Sequence, residues 1–221
     1  MKLISVQVGQ PREVTWRGVT VTTGIFKEPV DGPVMLRTLN LDGDAQADLS
    51  VHGGLTKAVY SYPSEHYEYW RNELSEVDFS FGEFGENFTT EGLLESEVYI
   101  GDRFRIGGAE LVVTEPRMPC SKLAVKFQRS DIVKTFLVSR RSGFYFAVAR
   151  EGEVQAGDVI EKVGPHGSDV TVADIVRLYA FDKDDVDTLR RAVKLESLPD
   201  KWRDHFRHLI ERSVTHRSNQ P

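Results

Sequence analysis

Cysteine is all but missing from this sequence: Cys120 is the one thiol among 221 residues. A single thiol excludes an intramolecular disulfide, and it excludes an iron-sulfur cluster or a thiolate-rich zinc site, which need several. Long apolar runs are missing too, so neither a membrane-spanning helix nor a membrane partner is expected. Positive charge is not in excess, since 28 Lys and Arg face 34 Asp and Glu for a formal charge of −6. That balance argues against general affinity for a nucleic-acid backbone, and no nucleic acid is expected as a partner. Met1–Val8 alternates in polarity and does not form the apolar stretch of a secretory signal. A reducing cytoplasm is therefore the expected location, in keeping with the lone thiol.

What the chain does hold is a globular composition. Hydrophobic residues make up 40% and charged residues 28%, a balance that lets a chain of this length bury a sizeable core. β-Branched runs punctuated by Gly and Pro predict strands at Leu3–Val6, Val19–Thr23 and Val34–Leu39. Between them Thr23–Pro33 reads as a turn-rich connection in which Lys27 is a solvated charge. Val98–Ile100 and Arg103–Ile106 continue the strand pattern, and Gly107-Gly108 joins the latter to Ala109–Val113 as a hairpin. The same grammar returns over Val154–Glu161, and Gly143–Ala149 is apolar enough to be a central strand. Such strand-turn-strand units predict a β-barrel or folded sheet and disfavour alternating βαβ units.

Helical spacing enters in two places. Pro63 fits the first turn of a helix reaching Leu74, with Tyr67, Trp70 and Leu74 on one apolar stripe. A second helix starts at Asp131, buries Ile132, Val133, Phe136 and Leu137, and closes on Arg140 and Arg141 before Gly143. From Val170 the composition turns helical throughout. Thr171 and Asp174 form a capping-box start; Asp184–Lys194 follows, and a last helix after Pro199 carries Trp202, Phe206, Leu209 and Ile210. The predicted architecture is mainly β with α: a β-barrel domain over residues 1–164 and a small three-helix C-terminal domain over 165–221, fraying from about Thr215.

Cys120 sits in Thr114–Leu123, after the strand-like Glu110–Thr114. Pro116 and Pro119 remove amide donors there and take the chain out of regular pairing, which places Cys120 near a strand end. Arg117 and Lys122 favour the thiolate, the form that acts as nucleophile or metal ligand. A buried cysteine acting as a small hydrophobe fits the local residues equally. Leu41–Asp48 carries three carboxylates on a glycine-broken loop, and His52-Gly53-Gly54 follows closely. The amides of Gly53 and Gly54 can cradle an anion beside His52 as donor or base, although a plain turn is the commoner outcome for an isolated His-Gly-Gly. The acidic loop lacks the twelfth-position Glu of a calcium-binding hand. Phe81–Thr89 is glycine-rich without the lysine and spacing of a phosphate-binding P-loop.

Taken together, Thr23–Lys27, Gly43–Asp48, Val51–Gly54 with Lys57–Val59, Gly85–Phe88 and Glu115–Leu123 resemble, in order and spacing, the MOSC family. With the three-helix tail, the chain looks like the bacterial subgroup that carries a C-terminal three-helix domain. The resemblance covers about residues 1 to 212. It implies a MOSC-type β-barrel that binds the molybdenum cofactor, a pyranopterin, with Cys120 as the protein ligand to molybdenum. Lys57, Arg117 and Lys122, Asn87 and the amides of Gly53 and Gly54 are the matching positions for holding the pterin and its phosphate. His52 and Asp48 are candidate proton donors by their place in the glycine loop.

The resemblance also implies two-electron reduction of N-hydroxylated compounds, such as hydroxylamino purines, to the amine and water. No flavin, haem or cluster ligand set is present, so an electron-donating reductase is expected as partner, and a homodimer is compatible with the apolar helices. Related MOSC domains accompany cofactor sulfurases, which keeps a second role open: a carrier holding a persulfide on Cys120. No sulfurase domain accompanies this chain, so pyridoxal phosphate is not expected. A zinc or hydrolytic site from Cys120 and His52 ranks low because the scattered His residues offer no ligand spacing.

Overall fold

The computed structural model describes residues 1–48 and 52–218, with side chains as far as Ser213. Leu49, Ser50 and Val51, the last of them part of the quoted Val51–Gly54 motif, lie outside it, as do the side chains of the expected frayed end. In chain order the strands are β1 (Lys2–Val8), β2 (Arg12–Trp16), β3 (Val19–Thr23), β4 (Glu28–Pro29), β5 (Val34–Leu36), β6 (Val59–Pro63), β7 (Phe88–Glu91), β8 (Arg103–Ile106), β9 (Ala109–Pro116), β10 (Phe144–Arg150), β11 (Gly152–Val154) and β12 (Ile160–Lys162). The helices are α1 (His66–Glu73), α2 (Ser121–Phe127), α3 (Ile132–Ser139), α4 (Val172–Ala180), α5 (Val186–Ala192) and α6 (Asp200–Ser218), with a single 3₁₀ turn at Leu55–Lys57.

Eight strands form one mixed sheet in the order β12-β8-β9-β10-β6-β7-β1-β4. The hairpin expected across Gly107-Gly108 is there, pairing Ile106 with Ala109; Phe104 and Ile106 point inward while Arg103 and Arg105 face water. β10 is central, as its apolar run foretells, flanked by β9 and β6. β6 and β7 run parallel and the other pairings are antiparallel. The sheet curls until β1 meets the approach to β12 at a bridge between Lys2 and Val159. Among the described residues no continuous ladder closes it, so the observed architecture is a curled mixed sheet plus helices.

Several local expectations are corrected. Val154–Glu161 is not a hairpin: β11 pairs with β5 and β12 with β8, because the Gln155–Asp158 turn redirects the chain between two sheets. Pro63 ends β6 and does not open α1, an end position where its missing N–H is tolerated. Val98–Ile100 makes no ladder; its backbone instead bonds to Val170 and Val172, tying the sheet to the start of α4. β2 escaped notice because it pairs with β3 as an exposed hairpin, turned tightly by Arg17 and Gly18, both at positive φ.

One apolar core runs from the sheet residues Leu3, Val6, Phe104 and Phe146 into Ile175, Leu178, Leu189 and Phe206 of the helices. The expected capping box at Thr171 and Asp174 forms with both reciprocal bonds. A second core is aromatic, with Tyr62, Tyr67, Trp70, Phe84 and Phe136 packed between α1, α2 and α3. Its floor is Glu86, buried and held by the Tyr67 hydroxyl, the Thr89 hydroxyl and the backbone N–H groups of Gly82 and Phe84. This aromatic block faces Arg117 and so positions the site.

Candidate active site

β9 releases the chain at Pro116, and the Arg117 N–H donates to the Gly143 carbonyl at 3.2 Å. Gly143 lies at φ +60 with Ser61 O 2.4 Å from where a Cβ would stand, so only glycine permits this approach. The chain then runs through Met118 and Pro119 to Cys120, which sits past the strand end as the N-cap of α2, a helix missing from the sequence reading. Cys120 is half-buried, and its Sγ lies 3.3 Å from His52 Nε2. Burial pushes the thiol pKa up, but the His52 bond, the Arg117 charge and the Lys122 backbone N–H outweigh it and bring it to about 7. Of the two readings left open for Cys120, the activated thiol is the one the geometry fits.

Two cavities meet at this thiol. The first is a cleft enclosing about 90 Å³ and otherwise open to solvent, walled by Thr23–Ile25, Ala45–Asp48, Gly85, Arg117, Met118 and Cys120. Gly24 permits that wall, since a Cβ there would lie 2.4 Å from Ala45 O. Lys27, Lys57, Arg117 and Lys122 all line the cleft, against Asp48 as the acidic side chain. Arg117 is the most telling of them. It is buried, its guanidinium stacks over the Phe136 ring at 4.9 Å, and its Nη1 has no hydrogen-bond partner. A shielded donor left unpaired costs about 1–3 kcal/mol, which an acceptor in the cleft would recover.

The structure sorts the other candidates. Lys57 and His52 line both cavities, and burial, opposed by Glu115, brings the Lys57 pKa down to about 8. Lys122 lines the cleft edge and reaches the Thr22 carbonyl at 3.3 Å. Asp48 lines the cleft as well. Asn87 is there, but its amide is committed: Oδ1 accepts from Tyr60 N, and Nδ2 donates to Gln7 O and Asp44 Oδ2. Gly53 and Gly54 line neither cavity; they form the turn that carries His52, so the expected amide cradle is set back. Lys27 is the plain correction. It is buried and ion-paired with buried Asp44, which also accepts from Gly9 N, because a charge enclosed this deeply needs its partner.

The second cavity, of about 400 Å³, lies between the sheet and the C-terminal helices. Cys120, His52, Lys57, Met118 and Tyr145 belong to both cavities, whereas Tyr179, Lys201, Trp202 and His205 wall the second alone. Glu115 joins the two halves: buried in β9, it accepts from the Trp202 indole at 2.8 Å, lies 3.1 Å from Lys201 and 4.0 Å from Lys57. Burial holds the Tyr145 phenol up at about 12, so it stays protonated and can donate. Sequence reasoning passed over Glu115, Lys27, Tyr145 and the helical residues as site members. Glu115 and Lys27 stood inside quoted motifs, which was the available signal; the others are brought in by tertiary packing. Among the described residues no group of three or more His, Cys, Asp and Glu side chains converges as a metal site, which leaves the zinc reading without a ligand set.

The comparisons with known proteins agree with this layout. Residues 48–161 match the MOSC domain and residues 170–212 the YiiM-like, 3-alpha helix domain. Protein YiiM of Escherichia coli is 40% identical over 81% of each chain. A protein of Gibberella moniliformis named "Reductase" is 34% identical over 79% of this chain, which spans 32% of that longer protein. The crystal structure of YiiM from Geobacillus stearothermophilus has a TM-score of 0.79 at 33% identity, covering 95% of this chain and 98% of that one. The chain belongs to the MOSC domain family, in the branch that continues into a YiiM-like three-helix domain.

Proposed function

We propose that the cleft takes a molybdenum pyranopterin cofactor and that the protein reduces N-hydroxylated compounds, each hydroxylamine taking up two electrons and two protons to give an amine and water. The observation that carries this reading is the buried Arg117 guanidinium, with Nη1 unpartnered, in a cation-lined cleft that ends on a thiol of pKa about 7. The donor set fits the group. Arg117, Lys57 and Lys122 would hold phosphate and pterin oxygens, and the Cys120 thiolate is the soft ligand molybdenum favours. The cleft encloses only about 90 Å³, so a pterin would extend through its open side. Asn87 acts one step back by fixing Asp44, and Gly53-Gly54 by carrying His52.

When bound, the cofactor supplies the two-electron redox chemistry. The chain's own part is to bind, orient and protonate. His52 Nε2 lies 3.3 Å from the Cys120 sulfur and the ring lines the second cavity as well, so it is placed to move a proton to a leaving hydroxyl. Tyr145 is a second donor common to both cavities. Asp48, on the cleft side, would relay protons from solvent. Electrons come from a separate reductase, because a chain with one thiol holds no iron-sulfur cluster of its own. Full-length protein made in a host with an intact cofactor pathway, given reduced viologen, should convert a hydroxylamino purine to its amine; Cys120→Ala should not. Turnover that survives Cys120→Ala contradicts the proposal. The low thiol pKa also suits the carrier reading, which a labile sulfur adduct on Cys120 without any turnover would favour.

A further inference from the structure

We infer that Glu95 is a positioning residue for Arg117: together with His66 it fixes the Ser142-Gly143 corner on which the Arg117 backbone hangs, and so sets how firmly the cleft keeps its ligand. The inference rests on the cofactor reading for the identity of that ligand. Glu95 itself lines neither cavity, so its effect on the cleft must pass through other residues. At 4% exposure its carboxylate is enclosed, and an enclosed carboxylate needs donors on both oxygens. Oε1 accepts from the Gly143 N–H at 2.6 Å, and Oε2 lies 2.7 Å from His66 Nε2.

The corner controls Arg117 in two ways. The Gly143 carbonyl accepts from the Arg117 N–H at 3.2 Å and from the Ser142 hydroxyl at 2.8 Å, which sets the main chain. The Ser142 carbonyl accepts from the Tyr60 hydroxyl at 2.9 Å, and the Tyr60 ring stands 5.6 Å from the Arg117 guanidinium, opposite in role to Phe136 as a second aromatic neighbour. One corner thus fixes both the backbone of Arg117 and a ring beside its side chain. Gly143 has a glycine's freedom to leave this conformation, and the charged acceptor on its N–H is what withdraws that freedom. The Glu95 carbonyl also accepts from the Ala173 N–H at 2.9 Å in the first turn of α4, while His66 opens α1. A junction serving packing alone would spread its loss over α1 and α4. One serving Arg117 concentrates it at Arg117 and Gly143.

The test uses full-length Glu95→Ala, which deletes both acceptors, and Glu95→Gln, which keeps one oxygen for Gly143 and turns its amide to the His66 ring. Amide exchange read by NMR on cofactor-free protein should be about tenfold faster at Arg117 and Gly143 in Glu95→Ala, the scale of one hydrogen bond to a charged group. The β8–β9 hairpin should keep its protection, and Glu95→Gln should restore that of Arg117. His66→Ala, which leaves the Gly143 bond in place, serves if Glu95→Ala does not fold, with exchange at Arg117 about threefold faster. From a cofactor-competent host, folded Glu95→Ala should carry about a tenth of the wild-type molybdenum and pterin, again the scale of one such bond. Unchanged exchange at Arg117 in the folded variants, exchange that quickens evenly through the hairpin, or Glu95→Gln that behaves as Glu95→Ala overturns the inference. The two readings fail separately. Local loss of protection in a protein whose wild type takes up no molybdenum sinks the cofactor reading and leaves Glu95 as the residue that places Arg117; full retention of molybdenum and pterin by Glu95→Ala sinks the inference alone.

Discussion

Cys120 owes its character to three neighbours, His52 from a distant turn and Arg117 and the Lys122 amide from its own segment. The thiol pKa is depressed to about 7, so the thiolate fraction is small below that value and nearly complete above it. Alkylation of cofactor-free protein by iodoacetamide should therefore reach half its maximal rate near pH 7. In His52→Ala the midpoint should climb toward about 8.5, the unperturbed value; a midpoint that stays put would remove His52 from the account. Lys27 makes the opposite point. Replacing it with Met leaves Asp44 charged and buried, and denaturant unfolding should show a loss of about 3–5 kcal/mol. Lys122→Ala, at the cleft edge, should change stability by no more than about 0.5 kcal/mol. Cys120 was legible because its cations are local in sequence. Lys27 was not, since its solvation depends on Asp44 across a loop whose path the sequence does not display.

At the scale of elements, periodicity was a good guide wherever burial was one-sided. The β8–β9 hairpin, the central β10 and the three C-terminal helices with their capping box all follow from spacing. It failed where context decides: β2 is an exposed hairpin strand, α2 is a short helix after two prolines, and Val98–Ile100 is held by the linker to α4. The joint between sheet and helices is the element with most consequence. Trp202→Phe keeps the ring but removes the N–H that meets Glu115, so α6 should be destabilised by about 1–3 kcal/mol. Hydrogen exchange should show faster amide exchange in the first turns of α6, with β10 unaffected. Equal acceleration in both would mean that Trp202 acts through the general core.

At the scale of the whole molecule, the C-terminal helices pack on the sheet. One core is common to the sheet and the helices, and the second cavity belongs to both. The family was legible from ordered motifs because each motif places a residue on the cleft or behind it: Gly24, Asp48, Lys57, Asn87, Arg117 and Cys120 all line it. The second cavity was not legible, since Tyr179, Trp202 and His205 look like ordinary amphipathic positions until α4 and α6 are laid on the sheet. The central claim is that the cleft and its thiol hold a molybdenum pterin. Its most direct test is molybdenum and pterin quantification in native full-length protein from a cofactor-competent host, beside Cys120→Ala prepared identically. Equimolar molybdenum and pterin in the wild type, with molybdenum lost from folded Cys120→Ala, is the result expected. Wild-type protein that reduces hydroxylamines without molybdenum, or Cys120→Ala that retains the metal in full, would contradict it.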